Sequence, residues 1–383
     1  MDFLNLSPVT LPERLVELRR QVREFLHEEI TGGRIVPHCD QWLAGWDPGF
    51  SRRLADRGWI GMAFPMQYGG SGEGALARFV VTEELLAAGA PVAAHWIADR
   101  QSGQSLIKFG TEEQRQTFLP RIASGECYFA IGMSEPDTGS DLASVRTRGV
   151  KVEGGWKVTG TKIWTSGAHH AHAMIALIRT DPLGESRHAG LTQVIIELPD
   201  PSIDVRPIKL LTGEHHFNEV VFNDTFVPDS RVLGTPGAGW KQVTSELAFE
   251  RSGPERILST FPLLAEALRD VGQSGLDVDR VRLGELTSRL WALRQMSLSV
   301  AGRLEEGADP ATAAAIVKDL GTRFEGDLID SVRLMVGVEP DLASLQRLPR
   351  MLAEAVLHSP GFTLRGGTNE ILRGVVAKAV KVA

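Results

Sequence analysis

Gly132-Met-Ser-Glu-Pro-Asp-Thr-Gly-Ser-Asp141, followed about twenty residues later by Lys162-Ile-Trp-Thr-Ser-Gly167, is the stretch on which the fold of this chain turns. The first segment is built from small and turn-forming residues, so it offers consecutive backbone N–H groups and hydroxyls. The second sets an indole and hydroxyls at the end of a strand. Together they suit a flat, electron-poor ring with a phosphate-bearing tail, which needs a flat contact, hydrogen-bond donors along one edge and N–H or hydroxyl groups around the phosphates.

Outward from these segments the periodicity changes twice. Upstream, residues 1–125 predict helices. Thr10-Leu-Pro-Glu13 reads as a capping-box start, Leu15, Leu18, Val22, Phe25 and Leu26 recur at helical spacing, and Thr111-Glu-Glu-Gln114 is a second capping box. Residues 126–235 predict strands. Val150–Glu153 and Trp156–Thr159 alternate about Gly154-Gly155, a hairpin expected to turn through a primed type, and Ala173–Ile178, Thr192–Leu198, Ile203–Ile208 and Glu219–Phe222 follow at the spacing of a small barrel or sandwich. From 236 to 383 the period is helical again, over roughly 240–271, 277–306, 310–337 and 341–358, with a short last helix from near Gly367. Pro254 is expected to kink the first of these helices, or Ser252-Gly253 to end and restart it. The fold class is therefore α+β and multidomain: an all-α domain, a β-barrel or sandwich, and a C-terminal four-helix bundle.

Bulk composition narrows the function. The 383 residues carry a formal charge of −7, with 43% hydrophobic and 23% charged residues, which argues against a nucleic-acid binder and fits an ordinary globular protein. Cys39 and Cys127 offer neither a disulfide framework nor metal spacing, and reduced thiols in a cytoplasmic protein are the expectation. The start lacks the basic and apolar regions of a secretion signal, and no apolar run is long enough to span a membrane. His169, His170 and His172 suggest a metal cluster at first sight. On a strand, however, 169 and 170 would point to opposite faces, and no carboxylate or thiol lies at ligand spacing, so no metal is expected. His215-His216 reads as a loop before the strand at Glu219. The glycines of 69–74 lack the Gly-Lys-Ser/Thr ending of a phosphate loop.

The two opening segments resemble the flavin-binding segments of the acyl-CoA dehydrogenase family. The resemblance continues through Pro65-Met-Gln-Tyr-Gly-Gly-Ser-Gly72, Phe109-Gly-Thr-Glu-Glu-Gln-Arg-Gln-Thr-Phe-Leu-Pro120, Asn218-Glu-Val-Val-Phe-Asn-Asp224, Val227-Pro228 and Gly239-Trp240. It covers nearly the whole chain in one order, and it implies FAD as cofactor and α,β-dehydrogenation of an acyl-CoA thioester. By resemblance, Ile131, Met133 and Ser134 lie along the isoalloxazine, Gly139 and Ser140 near the pyrophosphate and substrate, Trp164 on the ring, and Thr165 and Ser166 near N5. Thr368, Glu370 and Ile371 are the remaining flavin candidates.

Such a reaction needs a carboxylate beside the substrate α carbon in a dry site, and donors for the developing enolate oxygen, each worth about 10²–10³-fold in rate. Many family members place the base in a Tyr-Glu-Gly-Thr segment near the C-terminus. Here that segment reads Leu364-Arg-Gly-Gly-Thr368, with Gly366 at the glutamate's place. Its N–H remains as a donor, and the missing side chain leaves room for a bulky acyl group; Gly367 beside it is a further substrate candidate. Other branches carry the base on the first long C-terminal helix, and Glu250 in Leu247-Ala-Phe-Glu250-Arg251 matches that position, with Glu246 in reserve and Arg251 expected to hold substrate or orient the base.

Two segments that reach a neighbouring subunit's FAD in the family are poorly matched. Arg-x-x-Phe-Gly has no clear counterpart in 270–285, and Gln-x-x-Gly-Gly-x-Gly reads Arg333-Leu-Met-Val-Gly-Val-Glu339, where only Gly337 is plausible. The resemblance thus implies a homo-oligomer holding FAD differently, or a hetero-oligomer with a related subunit, in fatty acid or sterol side-chain catabolism, passing electrons to an electron-transfer flavoprotein. The alternatives are a non-catalytic or co-catalytic subunit of such a heteromer and a flavin oxidase or monooxygenase on the same scaffold.

Overall fold

The computed structural model describes residues 6–274 and 280–382, with the side chains at 246–250, 274 and 382 outside the description. Helices α1 (Glu13–Thr31), α2 (Gln41–Ala44), α3 (Pro48–Ala55), α4 (Ala75–Ala87), α5 (Ala93–Ile97), α6 (Gly103–Phe109) and α7 (Glu112–Ala123) come first. Strands β1 (Phe129–Gly132), β2 (Arg148–Val152), β3 (Gly155–Lys162), β4 (Ala173–Arg179), β5 (Leu191–Glu197), β6 (Ile203–Lys209), β7 (His215–Pro228) and β8 (Val232–Leu233) follow. Helices α8 (Gly239–Glu250), α9 (Phe261–Ser274), α10 (Arg280–Glu305), α11 (Ala311–Val336), α12 (Arg347–His358) and α13 (Asn369–Val382) complete the chain. The order helical, sheet, helical is the three-domain arrangement expected. In space, two units form: one from Met1–Gly45, Gly74–Pro91 and Ala248–Ala383, the other from Trp46–Glu73 and Val92–Leu247.

The second unit is built on one sheet ordered β6-β7-β3-β2-β4-β5-β8, with β1 added parallel to β4. β4 is an uninterrupted apolar run because both of its faces are covered. Ala173 and Ile175 meet Leu106, Phe118, Leu119 and Ile122 of α6 and α7, while Met174, Ala176 and Ile178 meet Val194, Ile196, Val220 and Phe222. β1 obeys the same rule, with Phe129 on the helical side and Ala130 on the other. The Thr111–Gln114 capping box forms at the start of α7, each residue's side chain bonding the other's backbone.

In the first unit α11 is the hub, packing on α9, α10, α12 and α13, while α1 lies on α4 and α4 on α10. Ala313, Ala314 and Val317 of α11 meet Val300 of α10. A side chain at Gly321 would run into the carbonyl of Arg256, so the residue is glycine because a turn crosses α11 there.

Several local expectations give way. Thr10 does not cap α1; Pro12 stands at the N-cap with no side-chain bond, its fixed φ starting the helix instead. The 150–159 hairpin forms, but it turns at Glu153-Gly154, and only Gly154 has positive φ, so the turn is not of the primed type. The 240–271 segment is broken rather than kinked: α8 stops at Glu250, Pro254–Arg256 makes one 3-10 turn, and α9 begins at Phe261. The Ser252-Gly253-Pro254 sequence removes both the propensity and an N–H needed to continue. The helix expected from 341 begins at Arg347. His169 and His170 lie in a turn, not on a strand, with ring centroids 3.9 Å apart, and His215 already opens β7.

Candidate active site

The residues named above fall in two groups, one within each unit. In the sheet unit, β1 runs out at Gly132 into the loop that carries Met133, Ser134, Gly139 and Ser140. Ile131 still belongs to the strand, paired with Ile175. Met133 packs against Val145, Leu177 and Leu191, which fixes where the loop leaves the sheet. The backbone N–H of Ile163 then donates to the carbonyl of Ser134 at 2.9 Å. One hydrogen bond therefore joins the Gly132–Asp141 segment to the Lys162–Gly167 segment, at the residue before Trp164.

The junction is held by an ion pair that the sequence did not single out. Lys162 is fully buried, and its Nζ donates to the carbonyl of Met133 at 3.0 Å and to Glu135 Oε1 at 2.8 Å. Glu135 also accepts from the backbone N–H groups of Arg146, at 2.6 Å, and Thr147, at 2.8 Å. Burial pushes the Lys162 ammonium down to about 8 against the pull of Glu135. Burial would raise the Glu135 carboxyl, but the charge and hydrogen bond of Lys162 and the N–H donors hold it below the ordinary carboxylate range. Glu135 and Thr138 exchange backbone hydrogen bonds around Pro136-Asp137, so the loop doubles back and leaves Gly139 and Ser140 exposed.

Beyond Lys162 the strand gives way to a bend and a turn. Trp164 is 52% exposed, at φ +59°, edge-on to Phe217 with centroids 5.6 Å apart. An aromatic residue in left-handed backbone is an outlier whose surroundings must impose it. Thr165 points inward, fully buried, its N–H donating to the carbonyl of Asn218 at 3.0 Å and its carbonyl accepting from Asn218 Nδ2 at 2.9 Å. Its Oγ1 has no hydrogen-bond partner among the described residues. Ser166 returns toward the surface, half-buried. Of the two hydroxyl residues expected near the ring, Ser166 is the more exposed. An exposed indole in an imposed conformation, beside a loop of exposed small residues, is a surface a flavin fits.

In the helical unit, α8 ends at Glu250; its side chain, like that of Glu246, lies outside the described residues. Arg251 follows, and its Nε donates to the carbonyl of Gly366 at 3.3 Å. Two segments more than a hundred residues apart, both named from sequence, thus meet. Gly366 and Gly367 have φ of +66° and +88°, consecutive left-handed residues that only glycine adopts at little cost. The loop closes where the Ile371 N–H reaches Thr368 Oγ1 at 3.4 Å, and Glu370 lies exposed in the first turn of α13. Gly337 is the left-handed C-cap of α11, which accounts for it without a ligand. Among the described residues no group of histidine, cysteine or acidic side chains is arranged to hold a metal. No described helix is long and apolar enough to cross a membrane.

Helical, sheet and helical segments in this order, with an exposed indole and a loop of exposed small residues after one strand, are the arrangement that the resemblance to acyl-CoA dehydrogenases implies. Comparison with known proteins agrees. The N-terminal, middle and C-terminal domain profiles of acyl-CoA dehydrogenases match residues 12–126, 130–225 and 237–381. The acyl-CoA dehydrogenase IpdE1 of Mycolicibacterium smegmatis is 30% identical over 385 residues, covering 95% of this chain and 96% of its own. The acyl-CoA dehydrogenase FadE34 of Mycobacterium tuberculosis is 33% identical over 330 residues, covering 85% of this chain, which spans only 45% of FadE34. The solved structure of the Tcur3481-Tcur3483 steroid ACAD superposes with a TM-score of 0.86 at 27% identity, over 100% of this chain and 99% of that one. The chain belongs to the acyl-CoA dehydrogenase family, flavin-dependent oxidoreductases, and its enzyme class is that of an acyl-CoA dehydrogenase.

Proposed function

We propose that this protein catalyses α,β-dehydrogenation of an acyl-CoA thioester with Glu250 as the base that removes the α proton. FAD, when bound, supplies the acceptor for the two electrons that leave the β carbon as hydride. Ser134, Ser166 and the backbone around Gly139 and Ser140 hold the cofactor, Trp164 covers its ring, and Ser140 also reaches the substrate. Arg251 orients the end of α8. The N–H of Gly366 donates to the thioester oxygen, and the absence of a side chain there admits a bulky acyl group. A ring-bearing acyl chain of the sterol class fits that space, and a protein of this fold carries the name steroid ACAD.

The observation that carries the proposal is the hydrogen bond from Arg251 to Gly366. It ties the residue after the candidate base to the loop where other members keep theirs, which is what an exchange of the base between the two positions requires. The test is Glu250→Gln on protein showing a flavin spectrum. Turnover on a panel of acyl-CoA thioesters is expected to vanish while flavin is retained, and near-normal turnover would rule Glu250 out. Electron-transfer flavoprotein is the proposed acceptor; rapid reoxidation by air would favour an oxidase instead.

A second reading is favoured by the poor match of the segments that complete a neighbour's FAD site, and by the paired name Tcur3481-Tcur3483. In it this chain works beside a related, different subunit. Flavin acquired only on co-expression with that subunit would support it.

A further inference from the structure

The Leu364–Thr368 loop is anchored from a part of the chain no motif points to. Arg365 directs its guanidinium away from the two glycines and into the helical unit, where Nη1 meets Asp40 Oδ2 at 2.8 Å and Nη2 meets Asp40 Oδ1 at 2.9 Å. Asp40 is 3% exposed and itself sits in left-handed backbone, at φ +56°. Its N–H donates to the carbonyl of Ser259 at 2.9 Å, and His358 Nδ1 lies 3.1 Å from Oδ2. The Arg365 guanidinium lies over the Trp42 ring, 4.6 Å from its centroid, and over Phe362 at 5.2 Å. This is the two-pronged, stacked geometry that arginine adopts and lysine does not. The loop is held at two further points, by Lys318 Nζ on the carbonyl of Thr363 at 3.0 Å and by Arg251 on the carbonyl of Gly366.

A buried ion pair is a poor stabiliser compared with apolar packing of the same volume, because desolvation offsets the attraction. What it provides here is direction. With Arg365 fixed at its tip, the next two residues can keep their left-handed conformation without side chains to hold them.

We propose that Asp40 is a positioning residue for the reaction: its grip on Arg365 sets the Gly366–Gly367 backbone against Arg251, and so the placement of the acyl thioester. The role rests on the proposed dehydrogenase function.

Hydrogen–deuterium exchange across residues 360–370 and steady-state kinetics on the flavin-loaded protein test it, in wild type, Asp40→Asn, Arg365→Lys and the double variant Asp40→Leu/Arg365→Met. Asp40→Asn is expected to speed exchange at Gly366–Thr368 and to lower kcat about tenfold to a hundredfold, the scale of a misplacement of about 1 Å, with KM little changed. Arg365→Lys keeps the charge but loses the fork, and is expected to act in the same direction; it carries the test if Asp40→Asn fails to fold. The double variant removes both members of the Asp40–Arg365 pair rather than orphaning one, so its melting temperature should recover toward wild type while kcat stays low. Wild-type exchange in both single variants, or kcat recovering together with the melting temperature, would make the pair structural only and overturn the proposal. Wild-type protein that turns over no acyl-CoA would fail the dehydrogenase reading, and the positioning role with it. Altered exchange in the variants would then mark the anchor as purely architectural.

Discussion

Replacing Lys162 by methionine removes an ammonium and keeps an unbranched stem of similar volume in the sheet unit. The ammonium makes two hydrogen bonds, to the carbonyl of Met133 and to Glu135 Oε1. Removing one partner of a buried ion pair costs about 3–5 kcal/mol, because the other charge is left in the interior. Here Glu135 keeps two backbone donors, from Arg146 and Thr147, so the low end applies and the loss is about 3 kcal/mol. The loop after β1 carries Glu135, and Lys162 ends β3, so opening of that loop absorbs the loss first. If only the closed loop accepts flavin, the apparent Kd for FAD rises in proportion to the fraction opened, up to about a hundredfold. Titration of deflavinated protein with FAD measures this, and urea unfolding measures stability without the cofactor. The double variant Lys162→Met/Glu135→Leu, which leaves no orphaned charge, is expected to regain most of the stability lost. A single variant that binds FAD as wild type does and unfolds within about 0.5 kcal/mol of it would refute the reasoning, since surface ion pairs behave that way.

Two further outcomes are expected. Trp164→Gly removes an imposed left-handed conformation worth about 1–2 kcal/mol together with the exposed indole. The flavin-free protein should therefore unfold no more easily than wild type while its FAD affinity falls; weaker stability with unchanged affinity would show that the indole serves packing instead. The His169 imidazole is held down at about 4 by burial and by the neighbouring His170 and His215 charges. Its folded pKa lies below the ordinary value near 6.5, so the unfolded chain binds the extra proton first, and its contribution to stability falls as pH drops from about 6.5 to about 4. His169→Asn should flatten the melting temperature over that window, and an unchanged slope would assign the acid sensitivity elsewhere.

How far the sequence reached follows from which interactions are local. β4 is readable because a strand covered on both faces is a run of apolar residues, and β7 is under-read because it opens on the adjacent histidines His215, half-buried, and His216, buried. Thr111–Gln114 was readable because a capping box closes within four residues, whereas Thr10 lost its position to a proline two residues on. The flavin-loop and Gly366 segments were visible as motifs. The ion pairs behind them were not, because charge in a motif reads as solvated until tertiary structure buries it. Lys162 and Glu135 lie 27 residues apart, and Asp40 and Arg365 lie 325 apart. Period and propensity carry no information over such distances. The one available signal was a lysine following Thr161 on an alternating strand, at a position whose partners across the sheet are apolar.

The two groups of residues, one in each unit, use one device. In each, a short segment takes left-handed backbone: the exposed Trp164 in the sheet unit, and the half-buried Gly366 and Gly367 in the helical unit. Next to each lies a buried pair of opposite charges held by more than one hydrogen bond, Lys162 with Glu135 and Arg365 with Asp40. Apolar contacts are nondirectional and would hold such segments in many orientations of similar energy. A bidentate or multiply bonded ion pair holds one, because a rotation that breaks its hydrogen bonds exposes a desolvated charge. Apolar pairs of matching volume should therefore leave the melting behaviour close to wild type at both places and still degrade what each segment presents, flavin contact in one unit and the thioester loop in the other. Stability and geometry separate here because different interactions supply them.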